Sequence, residues 1–170
     1  MAFQAYLRIH GSRQGQFTGN SPKSNRRDKW IEVVSFSYAV QSPRDVATGQ
    51  ASGKRQHKPI TIVVEQGLAT QQMLHALTTN EVLKDVTFEF VDTNKEGKDH
   101  ATHTVKLTNA TISGFLPHAI VTNGRIRHGH SVKIEVDAMD LTRFDFTFRK
   151  IEITYRQGGK TASDDWEARV

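Results

Sequence analysis

A chain of 170 residues without a single cysteine has no disulfide, no thiolate nucleophile and no cysteine-held metal available to it, so its stability must rest on an apolar core. At this length one domain, burying about 70% of the surface of its unfolded form, suffices, and a single domain over residues 1–170 is expected. The 23 Lys and Arg against 18 Asp and Glu leave a net charge of +5, which suits an anionic partner or, equally, a sheet with one solvated face.

The first residues do not combine a cationic start, an apolar stretch and a small-residue cleavage pattern, because Arg8, His10 and Arg13 interrupt them. No window has the length of a membrane span. The expectation is a chain made and folded in the cytoplasm, without membrane insertion, whose export would use a route that reads no removable signal.

Ala2 to His10 alternates with Phe3, Ala5, Leu7 and Ile9 on one face, the pattern of a half-buried strand. Residues 11–29 are glycine-rich, polar and basic, and read as a loop. Trp30 to Val40 is a second strand whose even positions Trp30, Val34, Phe36 and Tyr38 are expected to face a core. Its odd positions begin apolar at Ile31 and Val33 and become small at Ser35, Ser37 and Ala39. The connection from Gln41 to Lys58 is long for a compact domain, and such loops are functional or disordered. Pro59 introduces the strand Ile60 to Val64.

Thr70 to Asn80 predicts the one helix, with Met73, Leu74 and Leu77 at helical spacing, Thr70 as cap and Asn80 ending it in a left-handed conformation. Val82 to Asp92 is a strand with Val86, Phe88 and Phe90 in phase, followed by a hairpin tip at Asn94 to Lys98. His103, Val105 and Leu107 share one phase while Ala110 and Ile112 share the other, which predicts a bulge near Asn109. After an irregular segment from Pro117 to Gly129, Val132, Ile134, Val136 and Ala138 are expected to face inward. The last strand carries Phe144, Phe146 and Phe148 in one phase and Ile151, Ile153 and Tyr155 in the other, with a second bulge expected at Arg149 and Lys150. Seven or eight strands and one helix imply a mainly β fold, an antiparallel barrel or sandwich of two packed sheets with the helix against it.

Chemistry is sought in several places. Gly49, Gln50, Ala51, Ser52, Gly53 puts its serine one place late for a nucleophile elbow, and no strand-to-helix transition surrounds it. Gly158, Gly159, Lys160, Thr161 lacks the first glycine of a phosphate loop, where Thr154 stands, and the helix that should follow. His100 with His103, and His128 with His130, lack a third metal ligand. Asp137, Asp140, Asp145 and Glu135 read as hairpin and solvated strand positions. No catalytic, cofactor-binding or metal-ligating residue is therefore assigned, and no enzyme is expected. The cationic clusters Lys23 to Lys29 and Lys54 to Lys58, with Arg125, Arg127 and Lys133, leave one alternative, a single-stranded nucleic-acid binding β-barrel. The aromatic platforms that such binding uses are missing among them, since Trp30, Phe36 and Tyr38 share the phase read as buried.

Three blocks, the opening Met1 to Gly11, the run Ile31, Glu32, Val33, Ser35, Phe36, Ser37, and Lys150 to Trp166, together resemble the haemolysin-coregulated protein (Hcp) family, the tube subunit of type VI secretion systems. The resemblance covers essentially the whole chain, though Glu65 to Leu74 departs from the Ser-Pro helix start of many members. It implies a closed β-barrel with a flanking helix, six-membered rings stacked into a tube, partners among sheath and spike components, small effectors carried in the lumen, and secretion through that apparatus. The family's long connection after the second strand, which reaches toward the neighbouring ring, corresponds here to Gln41–Lys58. Ser42, Pro43, Arg44, Asp45, Gly49, Gly53, Lys54 and Arg55 are accordingly expected to contribute ring stacking. Ser35, Ser37 and Ala39 are the candidates for lining a water-filled lumen, and residues 158–170 are expected as a C-terminal tail.

Overall fold

The computed structural model describes the backbone of residues 4–21, 29–128 and 131–166, and the side chains of these apart from 118–128 and 131–139. The strands are β1 (Gln4–Gly11), β2 (Gly15–Gln16), β3 (Ile31–Ser37), β4 (Val40–Gln41), β5 (Gln56–His57), β6 (Ile60–Glu65), β7 (Leu83–Thr93), β8 (Asp99–His128), β9 (Ser131–Tyr155) and β10 (Lys160–Asp165), with α1 (Leu68–Thr78) between β6 and β7. The main sheet runs β9-β6-β3-β1-β7-β8, and a further pairing of β8 with β9 closes it into an antiparallel barrel. Closure removes the open edges that a sheet of this size would otherwise present. β10 pairs with β9 beyond the end of β6, and β4 and β5 form a separate small ribbon.

Alternation puts Leu7 and Ile9 of β1, Ile60 and Ile62 of β6, Val86 and Phe88 of β7 and Phe144 and Phe146 of β9 into one continuous interior. Phe36 meets the edges of Phe88 and Phe90 at 5.0 and 5.1 Å between ring centres, the geometry that aromatic quadrupoles favour. Helix α1 packs on β8 and adds Ala69, Met73 and Ala76 to this core. A smaller apolar cluster of Tyr6, Trp30 and Val91 lies apart from it, with the Arg8 guanidinium 5.3 Å from the Trp30 ring.

Three local expectations are corrected. Thr70 is not the helix cap: Gly67 occupies that place, and Thr70, at the third helical position, accepts a hydrogen bond from the Gly67 N–H with its hydroxyl. Asn80 is left-handed as its sequence position predicts, with φ of 50°. In β3 the register slips between Val33 and Ser35, so Ile31 and Val33 point inward before the slip and Phe36 and Tyr38 after it. Val34 is left exposed, against the expectation that it faces the core. In β8 and β9 the changes of phase at Asn109 and Arg149 fall opposite one another, and Thr108↔Lys150 and Ala110↔Phe148 keep the same register. Both strands therefore turn together at a left-handed Asn109, φ 50°, and the register shift lies instead between Ile112 and Gly114.

The segment from Pro117 to Gly129, expected to be irregular, is β8 as far as His128, paired along its length with β9. The side chains of Val132, Ile134, Val136 and Ala138, of Arg125, Arg127 and Lys133, of Asp137 and Glu135 and of His128 and His130 lie outside the described residues, as do residues 23–28 of the first basic cluster. Arg156 to Gly159 turn the chain, and within 158–170 the residues Lys160–Asp165 are β10. The Lys160–Thr161 pair thus enters a strand, as the missing helix signal implies.

Candidate functional site

The long connection between β3 and β6 is an ordered hairpin. Val40 and Gln41 pair with His57 and Gln56, Arg44 bridges to Ala51, and the Asp45 and Ser52 amides donate to the carbonyls of Gln50 and Pro43 at 2.8 and 3.0 Å. At its tip the Asp45 carboxylate accepts from the Ala47 and Thr48 amides at 3.0 and 2.7 Å, and Gly49 takes φ of 69° to close the turn. These bonds hold the Asp45 carboxyl below its ordinary range, Thr48 contributing most. Val46, held between them, is fully exposed. A short connection would need none of these devices, and their presence makes the tip a preformed projection.

The base of the hairpin is tied to β10 through one carboxylate. Arg55 Nε donates to Asp164 Oδ2, Arg55 Nη2 donates to the Asp165 carbonyl at 2.9 Å, and His57 Nε2 lies 2.5 Å from the same Asp164 oxygen. A carboxylate only accepts, so the His57 proton sits on Nε2, and Nδ1 accepts from the Tyr38 hydroxyl at 2.9 Å. The His57 ring is buried among Tyr38, Phe148 and Trp166. The Arg55 hydrogen bond holds the Asp164 carboxyl below its usual range, opposed by burial and assisted by His57. Burial, then the Asp164 charge, push the Tyr38 phenol up. Beside this clasp lies a groove of about 430 Å³ lined by Pro43, Ser52–His57 and Trp166.

The groove does not have the parts of a hydrolase. Ser52 lines it, but both His57 nitrogens are already engaged by Tyr38 and Asp164, leaving none to take the serine proton. His103 stacks flat on Phe90 at 4.1 Å, and burial pushes its imidazole below the ordinary value. No group of three potential ligands able to hold a metal occurs among the described residues, and no helix among them is long and apolar enough to cross a membrane.

The second feature is the outward face of β3, β6, β9 and β8. Ser35 and Ser37 are exposed on it, opposite Val63 and Thr61 of β6. The row continues through Asp145, which accepts from the Thr61 hydroxyl at 2.6 Å and pairs with Arg143 at 3.3 Å. Thr147 and Thr111 share a hydrogen bond of 2.9 Å farther along, and Ala39 extends the exposed side beyond the end of β3. The structure thus groups Ser35 and Ser37 with hydroxyl and paired charged residues of three neighbouring strands, while Val34 and Leu116 are its exposed apolar members.

The eight loop residues singled out from the sequence divide by place. Asp45 and Gly49 shape the tip, Pro43, Gly53 and Lys54 line the groove, Ser42 and Arg44 belong to the arms, and Arg55 is committed to Asp164. His57, Tyr38, Asp164 and Trp166 were not distinguishable as a unit in the sequence, because 107 residues separate His57 from Asp164. The acidic pair before Trp166 was the only available signal.

The chain matches the family described as "Type VI secretion system effector, Hcp" over residues 6–155. It is 31% identical over 181 aligned positions to the "Major exported protein" of Pseudomonas aeruginosa, covering 100% of this chain and 99% of the relative. Among solved structures it is similar to the secreted protein Hcp3 of Pseudomonas aeruginosa, at 26% identity, a TM-score of 0.73 and coverage of 98% of this chain and 100% of that one. It shares the fold of Hcp1 from the E. coli EAEC 042 pathovar, at 24% identity, a TM-score of 0.79 and coverage of 97% and 99%.

Proposed function

The chain belongs to the Hcp family of type VI secretion proteins, a family of secreted structural tube proteins, and from that premise we propose that it forms six-membered rings whose stacking builds the tube. The observation that carries this reading is the family match across residues 6–155. The residues fit the role. A rotationally closed heterologous contact generates a ring, and the face bearing Ser35, Ser37, Thr61, Asp145 and Thr147 suits a water-filled bore, since these five side chains are polar and short. Ala39 belongs to the same lining. The hairpin of residues 41–58 would contact the next ring through its tip, with small effectors carried in the bore and sheath and spike components outside it. The protein acts as a non-enzymatic subunit, folded in the cytoplasm before it leaves.

Sedimentation velocity combined with negative-stain imaging tests the proposal. Annular particles with an open centre are expected, and tubes where stacking is favoured by high concentration or crosslinking. A monomer at every concentration, or a ring with no bore, would overturn it. The nucleic-acid alternative loses support from the clasp, since Arg55 and His57, two members of its second basic cluster, are bound to Asp164.

A further inference from the structure

The hairpin of residues 41–58 is regular at its root and at its tip, but not between them. Gln41 pairs with Gln56, and the Ser52 amide donates to the Pro43 carbonyl at 3.0 Å. Between these two ties the outgoing arm holds one residue, Ser42, and the return arm holds three, Gly53, Lys54 and Arg55. Proline has no N–H, so Pro43 bonds the return arm only through its carbonyl, which Ser52 takes. The surplus residues bow out of the ladder, as in a bulge, and line the groove. Their backbone N–H and C=O groups have no backbone partner among the described residues.

Another part of the lining is fixed beforehand. The Trp166 amide donates to the Arg149 carbonyl at 3.0 Å, its indole lies 5.2 Å from the His57 ring, and it remains 47% exposed. Arg55 is committed to Asp164, whereas Lys54 is exposed and its ammonium has no ion-pair partner among the described residues. The groove thus offers unpaired backbone, a half-exposed indole with the Pro43 ring, and an uncommitted positive charge.

We propose that this groove binds an extended acidic peptide segment of a protein other than this chain. The segment runs along Gly53, Lys54 and Arg55 and exchanges backbone hydrogen bonds with them as an added strand. It sets an apolar or aromatic side chain against Trp166 and Pro43 and brings a carboxylate to Lys54. A chain of net charge +5 attracts an acidic partner and repels its own copies at long range, which favours a foreign segment as the occupant. A nucleic-acid strand fits less well. A base could stack on the indole, but phosphates carry no donors for the carbonyls of the bowed segment. The assignment concerns the base of the hairpin and is independent of how copies of the chain assemble.

The test titrates the full chain with a capped peptide, acetyl-Ser-Leu-Glu-Phe-Glu-Ser-amide, and follows tryptophan fluorescence and heat. Trp166 is one of two tryptophans, and Trp30 is buried in the outer cluster, so a change in emission reports the groove. Saturable binding with a Kd of about 0.1 mM or tighter is expected, weaker by about tenfold or more for the same peptide with lysine in place of both glutamates. Lys54→Glu should weaken binding of the acidic peptide by about fivefold or more. A Cβ at Gly53 would sit 3.8 Å from the Pro43 ring, so Gly53→Leu fills the groove and should weaken binding by about tenfold or more. Near-UV circular dichroism checks that each variant keeps the fold, and the comparison of the two peptides on the unaltered protein needs no variant. Absence of saturation, equal affinity for the two peptides, or affinity untouched by both substitutions overturns the proposal. So does an oligothymidylate that displaces the acidic peptide, which would assign the groove to nucleic acid. Binding seen with dilute protomer but lost in assembled protein also overturns it, and would assign the groove to a contact between copies.

Discussion

Glu81 stands just after the left-handed Asn80 that ends α1, and its carboxylate is almost completely buried. It accepts from the Arg13 and Gln14 amides at 2.7 and 2.9 Å and from Gln14 Nε2 at 2.8 Å, fixing the turn between β1 and β2 to the end of the helix. Burial raises its affinity for a proton, but the hydrogen bonds from Gln14 and Arg13 outweigh that and leave the carboxyl below its usual value. A depressed carboxyl contributes stability that is complete above its unfolded-state pKa and is lost as pH falls through the folded value. Glu81→Gln should therefore cost about 1–3 kcal/mol at neutral pH and progressively less in acid, as read from denaturant unfolding of both proteins across pH. A penalty independent of pH would show that the charge is irrelevant. Asp164 follows the same sign. The clasp should therefore hold above the folded-state value of Asp164 and open as that carboxylate takes a proton. Asp164→Asn should speed tryptic cleavage at Arg44 and Lys54 by about tenfold or more, and an unchanged rate would mean that the hairpin does not depend on the clasp. Neither carboxylate was legible from spacing, because each acquires its role from groups brought to it by the fold.

Elements were far more legible, for a reason that also marks the limit. Phe144, Phe146 and Phe148, or Val86, Phe88 and Phe90, alternate because a closed barrel has one dry side, and this period survives any rearrangement of partners. The position of a bulge does not survive in the same way. Ile31, Val33, Phe36 and Tyr38 can be accommodated inside with Val34 extruded, but only the register against Val63 and Val64 of β6 selects that solution. The concerted turn at Asn109 and Arg149 likewise belongs to a pair of strands, and each strand alone imitates a bulge. The polar stretch before β3 shows another constraint of the folded state. Gly19 lies so close to the following backbone that an added Cβ would fall 2.1 Å from the Trp30 carbonyl oxygen. Gly19→Ala must displace this segment from the Tyr6, Trp30 and Val91 cluster, and a loss of about 1–3 kcal/mol is expected. Urea unfolding measures it; an unaltered midpoint would show that the segment can move without loosening that cluster. Phe146→Ala, in the barrel interior, should cost about 3–5 kcal/mol, enough to rank barrel packing above the outer cluster in the same experiment.

At the scale of the whole molecule, ring formation and ring stacking ask for different surfaces, and the structure separates the parts available for each. The hairpin of residues 41–58 is fastened at its base by Arg55 and His57 and shaped at its tip by Asp45, whose carboxylate receives the Ala47 and Thr48 amides. Val46 is thereby presented to solvent on a backbone already ordered, so an apolar contact made by it would carry a reduced ordering cost. One exposed valine has little meaning alone; its place at the tip of a braced projection is what gives it a role in the proposed stacking. Val46→Asp leaves the Asp45 turn intact and sets a charge where that contact would form, which a partner surface could bury only at the expense of its hydration. Rings of unchanged size should therefore form, with far fewer tubes under conditions where the unaltered protein stacks, as counted in negative-stain images beside sedimentation of both proteins. Tubes of undiminished length would remove Val46 from the stacking contact, and loss of the ring itself would show that the hairpin belongs to the seam between neighbouring subunits instead.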